Sequence, residues 1–108
     1  MSAPSDPGAN MLRGEAELRI GGTAFVLRPS FAALVAAEGE LGPLFALVER
    51  AADGRLGLGE LASLFWHCLR DSADAPTREA VGEAVVAQGL VAVTPALRVL
   101  LGQILQGR

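Results

Sequence analysis

The sequence predicts an α+β fold, mainly α, in which an N-terminal β-hairpin precedes a bundle of four to five short helices. The composition is 51% hydrophobic but only 5% aromatic, which is typical of thin helices that pack closely. Apolar and polar residues alternate on both sides of Gly21-Gly22, and the later segments repeat apolar residues at helical spacing.

The predicted organisation is a flexible N-terminal arm at residues 1–13 and a single hairpin-plus-bundle domain at residues 14–108. The arm contains Pro4, Pro7 and Gly8 without apolar periodicity, so it buries too little surface to offset the entropy of ordering. At 108 residues, one domain is the default expectation.

The hairpin is predicted from alternation that places Ala16, Leu18 and Ile20 on one face. Gly21-Gly22 supplies the positive φ angles of a two-residue turn, and a second run follows from Thr23 to Arg28. Because two strands alone are marginally stable, this apolar face is expected to pack on the helices.

Helix-start and helix-stop residues divide the rest of the chain. Ser30 is the predicted N-cap of a helix that ends at Gly39 to Gly42, and Pro43 opens a second helix that Asp53-Gly54 closes. A third helix is predicted from Leu58 to Arg70, with its apolar face formed by Leu58, Leu61, Leu64, Phe65, Cys68 and Leu69.

Two further helices are predicted after a polar loop at residues 71–76. Thr77 caps the fourth, which ends at Gly89, and Thr94-Pro95 provides the cap and first turn of the fifth. The segment Leu90 to Val93 is too short and too apolar to classify by periodicity.

Charge and hydropathy disfavour several classes of partner. The basic residues are nine scattered arginines in a chain of net charge −3, which gives no basic surface for nucleic acid. No apolar run reaches the length of a membrane span, and Met1 to Asn10 lacks the features of a secretory signal. We therefore expect a cytoplasmic protein that binds neither nucleic acid nor a membrane.

No catalytic, cofactor-binding or metal-binding residues are predicted, so we expect a protein that is not an enzyme. The only histidine, His67, points about 100° away from its neighbour Cys68 on a helix, which is poor geometry for a dyad. His67 is interpreted as a surface or rim residue, Cys68 as a core residue, and the pair Glu38 and Glu40 as part of a solvated face.

The candidate partner-binding residues lie mainly in the last helix, whose apolar side chains exceed what one side of a small core requires. Trp66 is added because it falls off the apolar face of its helix and either packs under a neighbouring helix or contacts a partner. The predicted partner-binding set is Trp66, Leu97, Leu100, Leu101, Ile104 and Leu105.

A calcium site is the hypothesis from another class of function. Asp53, Gly54 and Glu60 match the fifth, sixth and twelfth positions of an EF-hand loop. Glu49 would then hold the first position, and Ala51, which has no side-chain oxygen, the third. The EF-hand pattern is therefore degenerate. The same residues are also explained by a helix end, a turn and the start of a new helix.

The order of the hairpin and helices, together with three segments, resembles a family of gene transfer agent and phage tail proteins. The segments are Gly14-Glu15-Ala16, Leu34 to Gly42 with Glu38, and Leu47-Val48-Glu49-Arg50 before a Gly-containing turn. The resemblance extends over roughly residues 14–106, and none of these positions is a catalytic signature.

The resemblance implies a non-enzymatic tail assembly chaperone that binds the tape-measure protein or another tail protein during morphogenesis. Members of this family also include tail-tube components, so a structural role in the tail tube remains an alternative. In that case the protein would be located in the virion tail. Amphipathic helices suit a chaperone because they cover apolar helical stretches of a client. The partners implied are a tape-measure or tail-tube protein, and a homo-oligomer stays open.

Overall fold

A computed structural model describes residues 16–72 and 74–107. It has an antiparallel hairpin followed by five helices, as the sequence predicts. The elements are β1 (Ala16–Ile20), β2 (Thr23–Leu27), α1 (Phe31–Leu41), α2 (Leu44–Ala52), α3 (Leu58–His67), α4 (Arg78–Gln88) and α5 (Leu90–Gln106). The predicted arm at residues 1–13 lies outside the described residues.

The hairpin has the register that its alternation predicts. Ala16 pairs with Leu27, and Leu18 pairs with Phe25, so these side chains share the face that contacts the helices. Gly21 and Gly22 have φ angles of 58° and 85°, as a two-residue turn between right-twisted strands requires. β1 packs on α4 and α5, and the backbone N–H of Arg28 donates to the carbonyl of Cys68 at 2.9 Å.

Three helix starts follow from local side-chain hydrogen bonds. The Ser30 hydroxyl accepts from the N–H of Ala33 at 3.1 Å, and the Thr77 hydroxyl accepts from the N–H of Ala80 at 3.0 Å. At α3 the Glu60 carboxylate accepts from the N–H of Gly57 at 2.9 Å. Each bond satisfies a donor that the first helical turn leaves unpaired.

The last helix differs from its predicted boundary. α5 begins at Leu90 and runs through Thr94-Pro95, so Thr94 is not its N-cap; the Thr94 hydroxyl donates instead to the carbonyl of Leu90 at 2.7 Å. Gly89, at φ 92°, makes the corner between α4 and α5. Pro95 removes the hydrogen bond to the carbonyl of Val91, but Val91 is highly exposed, so the loss falls on the solvent side of the helix.

The core lies between the hairpin and the helices α3, α4 and α5. α3 ends at His67, three residues before the predicted end, yet Cys68 and Leu69 remain buried in the following turn. Leu58, predicted on the apolar face, is 47% exposed because it stands in the first turn. The largest fully buried side chains are Leu18, Leu27, Leu47, Leu64, Phe65, Leu69, Val81, Val85 and Leu100.

Candidate functional site

An apolar groove separates α2 from the end of α5. Its volume is about 130 Å³, and its lining consists of Leu44, Phe45, Val48, Ile104 and Leu105. These five residues are called the apolar groove below. The two helices bury few side chains: Leu47 on α2, and Val93 and Leu100 on α5. The residues that line the groove are not among them.

Exposed side chains line the groove on both helices. Phe45 on α2 is 80% exposed and Leu105 on α5 is 51% exposed. A single exposed leucine is ordinary on a protein surface. Two large apolar side chains that line the same cleft form a continuous apolar surface, which is the kind that marks interaction sites.

The structure divides the predicted partner-binding set. Ile104 and Leu105 line the groove, but only Leu105 is exposed. Leu97, Leu101 and Ile104 are half-buried against the core. Leu100 is fully buried, so its assignment to a partner surface is corrected: it faces the core that β1, α4 and α5 enclose. Binding by the accessible members of the set stays a prediction.

Trp66 is half-buried and packs against the core. The Arg78 guanidinium lies 4.4 Å from the centre of its ring, a distance at which a cation is attracted to an aromatic face. Of the two interpretations of Trp66, the structure favours packing under a neighbouring helix.

Phe45 is not among the predicted partner-binding residues. The predicted α2 face contains Leu44, Leu47 and Val48, and Phe45 falls beside it. The signal was present, since adjacent large apolar residues at Leu44 and Phe45 cover more than one face of a helix. Other large apolar side chains are also exposed: Phe31, Val35, Val86, Leu90 and Val91.

A polar cluster of Glu40, Ser63, His67 and Arg78, called the Glu40 cluster below, joins three helices. Glu40 at the end of α1 accepts from His67 Nε2 at 2.8 Å and from the Ser63 hydroxyl at 3.3 Å, both on α3. Arg78, the first residue of α4, donates to Glu40 at 2.5 Å and to Ser63 Oγ at 3.3 Å. One carboxylate thus connects α1, α3 and α4.

The Glu40 cluster corrects the prediction for His67. His67 is 5% exposed rather than at the surface or rim, because α1 and α4 cover its side of α3. Glu40 is exposed, as predicted for a solvated face, and it also accepts the hydrogen bonds of the cluster. The hydrogen bond from His67, followed by that from Arg78, lowers the pKa of Glu40 below its usual 4.5, since both bonds favour the charged carboxylate.

The chemistry of this cluster is that of a structural connection. The Ser63 hydroxyl donates to Glu40, and His67 Nε2 is bonded to the same carboxylate, so His67 Nε2 is not aimed at Ser63 as a general base would be. Cys68 is buried as predicted, and burial raises the pKa of its thiol to about 12, which keeps the thiol protonated at neutral pH.

The residues of the degenerate EF-hand pattern have other partners. The Glu60 carboxylate accepts from the backbone of Gly57 and pairs with Arg50, and Asp53 lies 3.7 Å from Arg55. The Gly57 hydrogen bond is the main cause that lowers the pKa of Glu60. Over residues 16–72 and 74–107, no group of three or more His, Cys, Asp or Glu side chains is placed to hold a metal ion.

Within residues 16–72 and 74–107, no single helix has the length and apolar character needed to cross a membrane. The helices α1 and α2, which meet at a bend of 75°, are together long and apolar enough to cross a membrane, by length and composition alone.

The fold and the groove define a small, mainly helical α+β domain with an uncovered apolar surface between two helices. The family model described as "Phage tail tube protein, GTA-gp10" matches residues 13–107, which is nearly the whole chain. The chain belongs to this family of tail proteins of phages and gene transfer agents. No curated protein and no solved structure matches it significantly.

Proposed function

We propose that this protein is a non-enzymatic tail assembly chaperone, which binds another tail protein in the bacterial cytoplasm while the tail is built. Membership of a phage tail family supports a role among tail proteins. The observation that carries the chaperone role is the apolar groove, with Phe45 80% exposed beside Leu105. A surface of this kind suits transient cover of an apolar segment of a client.

The proposed clients are the tape-measure protein and the tail-tube protein of the same particle. A client with an apolar helical segment fits a groove between two helices. The Glu40 cluster supports a non-enzymatic role, because its histidine and its serine are both bonded to one carboxylate.

A structural role in the tail tube is the second candidate. The family description itself names a tail tube protein. The sheet in the described residues has two strands, so each strand has an edge without a strand partner, and a neighbouring subunit could add a strand there. A chaperone leaves the finished particle, whereas a tube component stays in it.

One experiment separates the two roles. The protein is co-expressed with the tape-measure protein and with the tail-tube protein, and soluble yield and co-purification are measured. Purified particles are then analysed by quantitative mass spectrometry. The chaperone proposal predicts a soluble complex with one client and little of this chain in finished particles. Presence in many copies per particle would establish the tube component instead, and failure to co-purify with either client would contradict the chaperone.

A further inference from the structure

The charges around the apolar groove are predominantly negative. Glu38 lies at one end, where its carboxylate accepts from the N–H of Leu44 at 3.0 Å. Glu49 lies one helical turn beyond Phe45 on the same side of α2. Both acidic residues are exposed, so both can meet a partner that enters the groove.

The end of α5 adds to this negative potential. Ile104 and Leu105 stand in its last turn, which contains no basic residue, so within the described residues no side chain of that turn offsets the partial negative charge of the helix C-terminus.

The two helices that form the groove contain one arginine each. Arg50 on α2 is paired with Glu60. Arg98 lies two turns before Leu105 on α5, about 10 Å along the helix axis, which is comparable with the screening length at physiological salt.

We propose that the apolar groove binds one amphipathic helix that carries Lys or Arg residues beside its apolar face, supplied by another tail protein. This inference rests on the proposed function and names the chemistry of its client. The apolar side chains of that helix contact Phe45 and Leu105, and its basic residues contact Glu38 and Glu49. The helix-in-groove mode provides both contacts at once.

The same charges disfavour a second copy of this chain as the occupant. Two copies related by a two-fold axis place the same patch against itself. Glu38 and Glu49 of one copy would then approach those of the other, within a chain whose net charge is −3. Like charges brought together at an interface are unfavourable, whereas a basic helix removes that repulsion.

The test uses the full-length protein and two labelled helical peptides of about 18 residues, or five turns. Both peptides carry leucines along one face; one has lysines beside that face and its twin has glutamates. Binding is measured by fluorescence anisotropy at low and high salt. We expect the lysine peptide to bind at least about tenfold more tightly than its twin, with a difference that shrinks as salt rises.

Matched variants locate the binding surface. Phe45→Ser and Leu105→Ser are expected to weaken binding of the lysine peptide about tenfold or more, as loss of a buried anchor does. Phe31→Ser removes a phenylalanine of similar exposure outside the groove and is expected to leave binding unchanged. The double variant Glu38→Gln with Glu49→Gln retains an acceptor for the N–H of Leu44 and is expected to abolish the preference for lysine.

Three outcomes would overturn the inference. Equal binding of the two peptides would exclude charge recognition. Equal losses in Phe31→Ser and Phe45→Ser would indicate non-specific adhesion to exposed apolar surface. Self-association that Phe45→Ser abolishes, seen by light scattering without peptide binding, would make a second copy the occupant.

Failure of this inference is distinguishable from failure of the proposed function. If a tail client co-purifies equally with the wild-type chain and with Phe45→Ser, the chaperone role stands and the groove is not its client site. If the lysine peptide binds as expected but no tail client co-purifies, the groove chemistry stands and the chaperone role fails.

Discussion

Two regions of this small domain use opposite chemistry. In one region, the Glu40 cluster joins α1, α3 and α4 through hydrogen bonds to a single carboxylate. In the other region, α2 and the end of α5 leave an apolar groove whose Phe45 and Leu105 side chains are largely exposed. Polar residues thus hold the helices together, and apolar residues are left for contact.

This difference separates the contacts that stabilise the fold from the surface that is available for binding. Removing a partner from a buried hydrogen bond leaves a polar group unsatisfied and is costly. Truncating an exposed apolar side chain changes the free energy of unfolding little. Substitutions in the two regions should therefore have opposite effects on stability and binding.

The largest expected effect comes from the buried side of α5. Leu100→Ala creates a cavity in the core and should lower the free energy of unfolding by about 3 kcal/mol. Leu105→Ala, on the same helix but at the groove, should lower it by less than about 0.5 kcal/mol. Urea denaturation measures both. Equal losses would show that the end of α5 is core on both faces.

The Glu40 cluster should give the next largest effect. Glu40→Ala leaves the buried Nε2 of His67 without its acceptor and should lower the free energy of unfolding by about 1–2 kcal/mol. Glu83→Ala on the exposed surface of α4 is the control and should change it by less than about 0.5 kcal/mol. If both variants unfold at the same urea concentration with the same slope, the cluster does not stabilise the helices.

The pH dependence of stability should show whether the negative charge of Glu40, and not only its shape, stabilises the fold. Because its pKa is lowered on folding, the carboxylate stabilises the protein above its ordinary pKa of 4.5, and this stabilisation is lost as the pH falls through the lower folded value. The difference in unfolding free energy between wild type and Glu40→Gln should be constant near neutral pH and shrink below pH 4.5. Urea denaturation at several pH values measures it, and a difference that persists undiminished in acid would contradict the assignment.

The smallest effect on stability is expected at the groove. Phe45→Ser removes a side chain that is 80% exposed, so the unfolding free energy should change by less than about 0.5 kcal/mol. The same variant should lower the binding of an apolar-surface dye, because the groove loses its largest ring. A large loss of stability would show that Phe45 contributes to the core and would remove the contrast between the two regions.

Most of the fold could be predicted because its signals are local. The hairpin follows from alternation around Gly21-Gly22, and the caps at Ser30 and Thr77 act on backbone groups three residues away. Such contacts depend on neighbouring residues alone, so one sequence contains them in full. The largest exception was α5, where Thr94-Pro95 resembles a helix start although the helix already begins at Leu90, directly after Gly89.

The candidate site depended on contacts that no local pattern contains. Glu40 and His67 are 27 positions apart, and Glu40 and Arg78 are 38 apart, so their meeting is decided by how α1, α3 and α4 pack. The same holds for α5. Its apolar residues were visible in the sequence, but only packing against β1 and α4 decides that Leu100 is buried while Leu105 borders a groove.

The sequence by itself determined the hairpin, most of the helix ends that follow it, and an excess of apolar residues in the last helix. Only the tertiary structure decided which of those residues are exposed and which polar groups are paired. The physical reason is that hydrophobic periodicity fixes which side of a helix is apolar. It does not fix how far the neighbouring helix extends to cover that side.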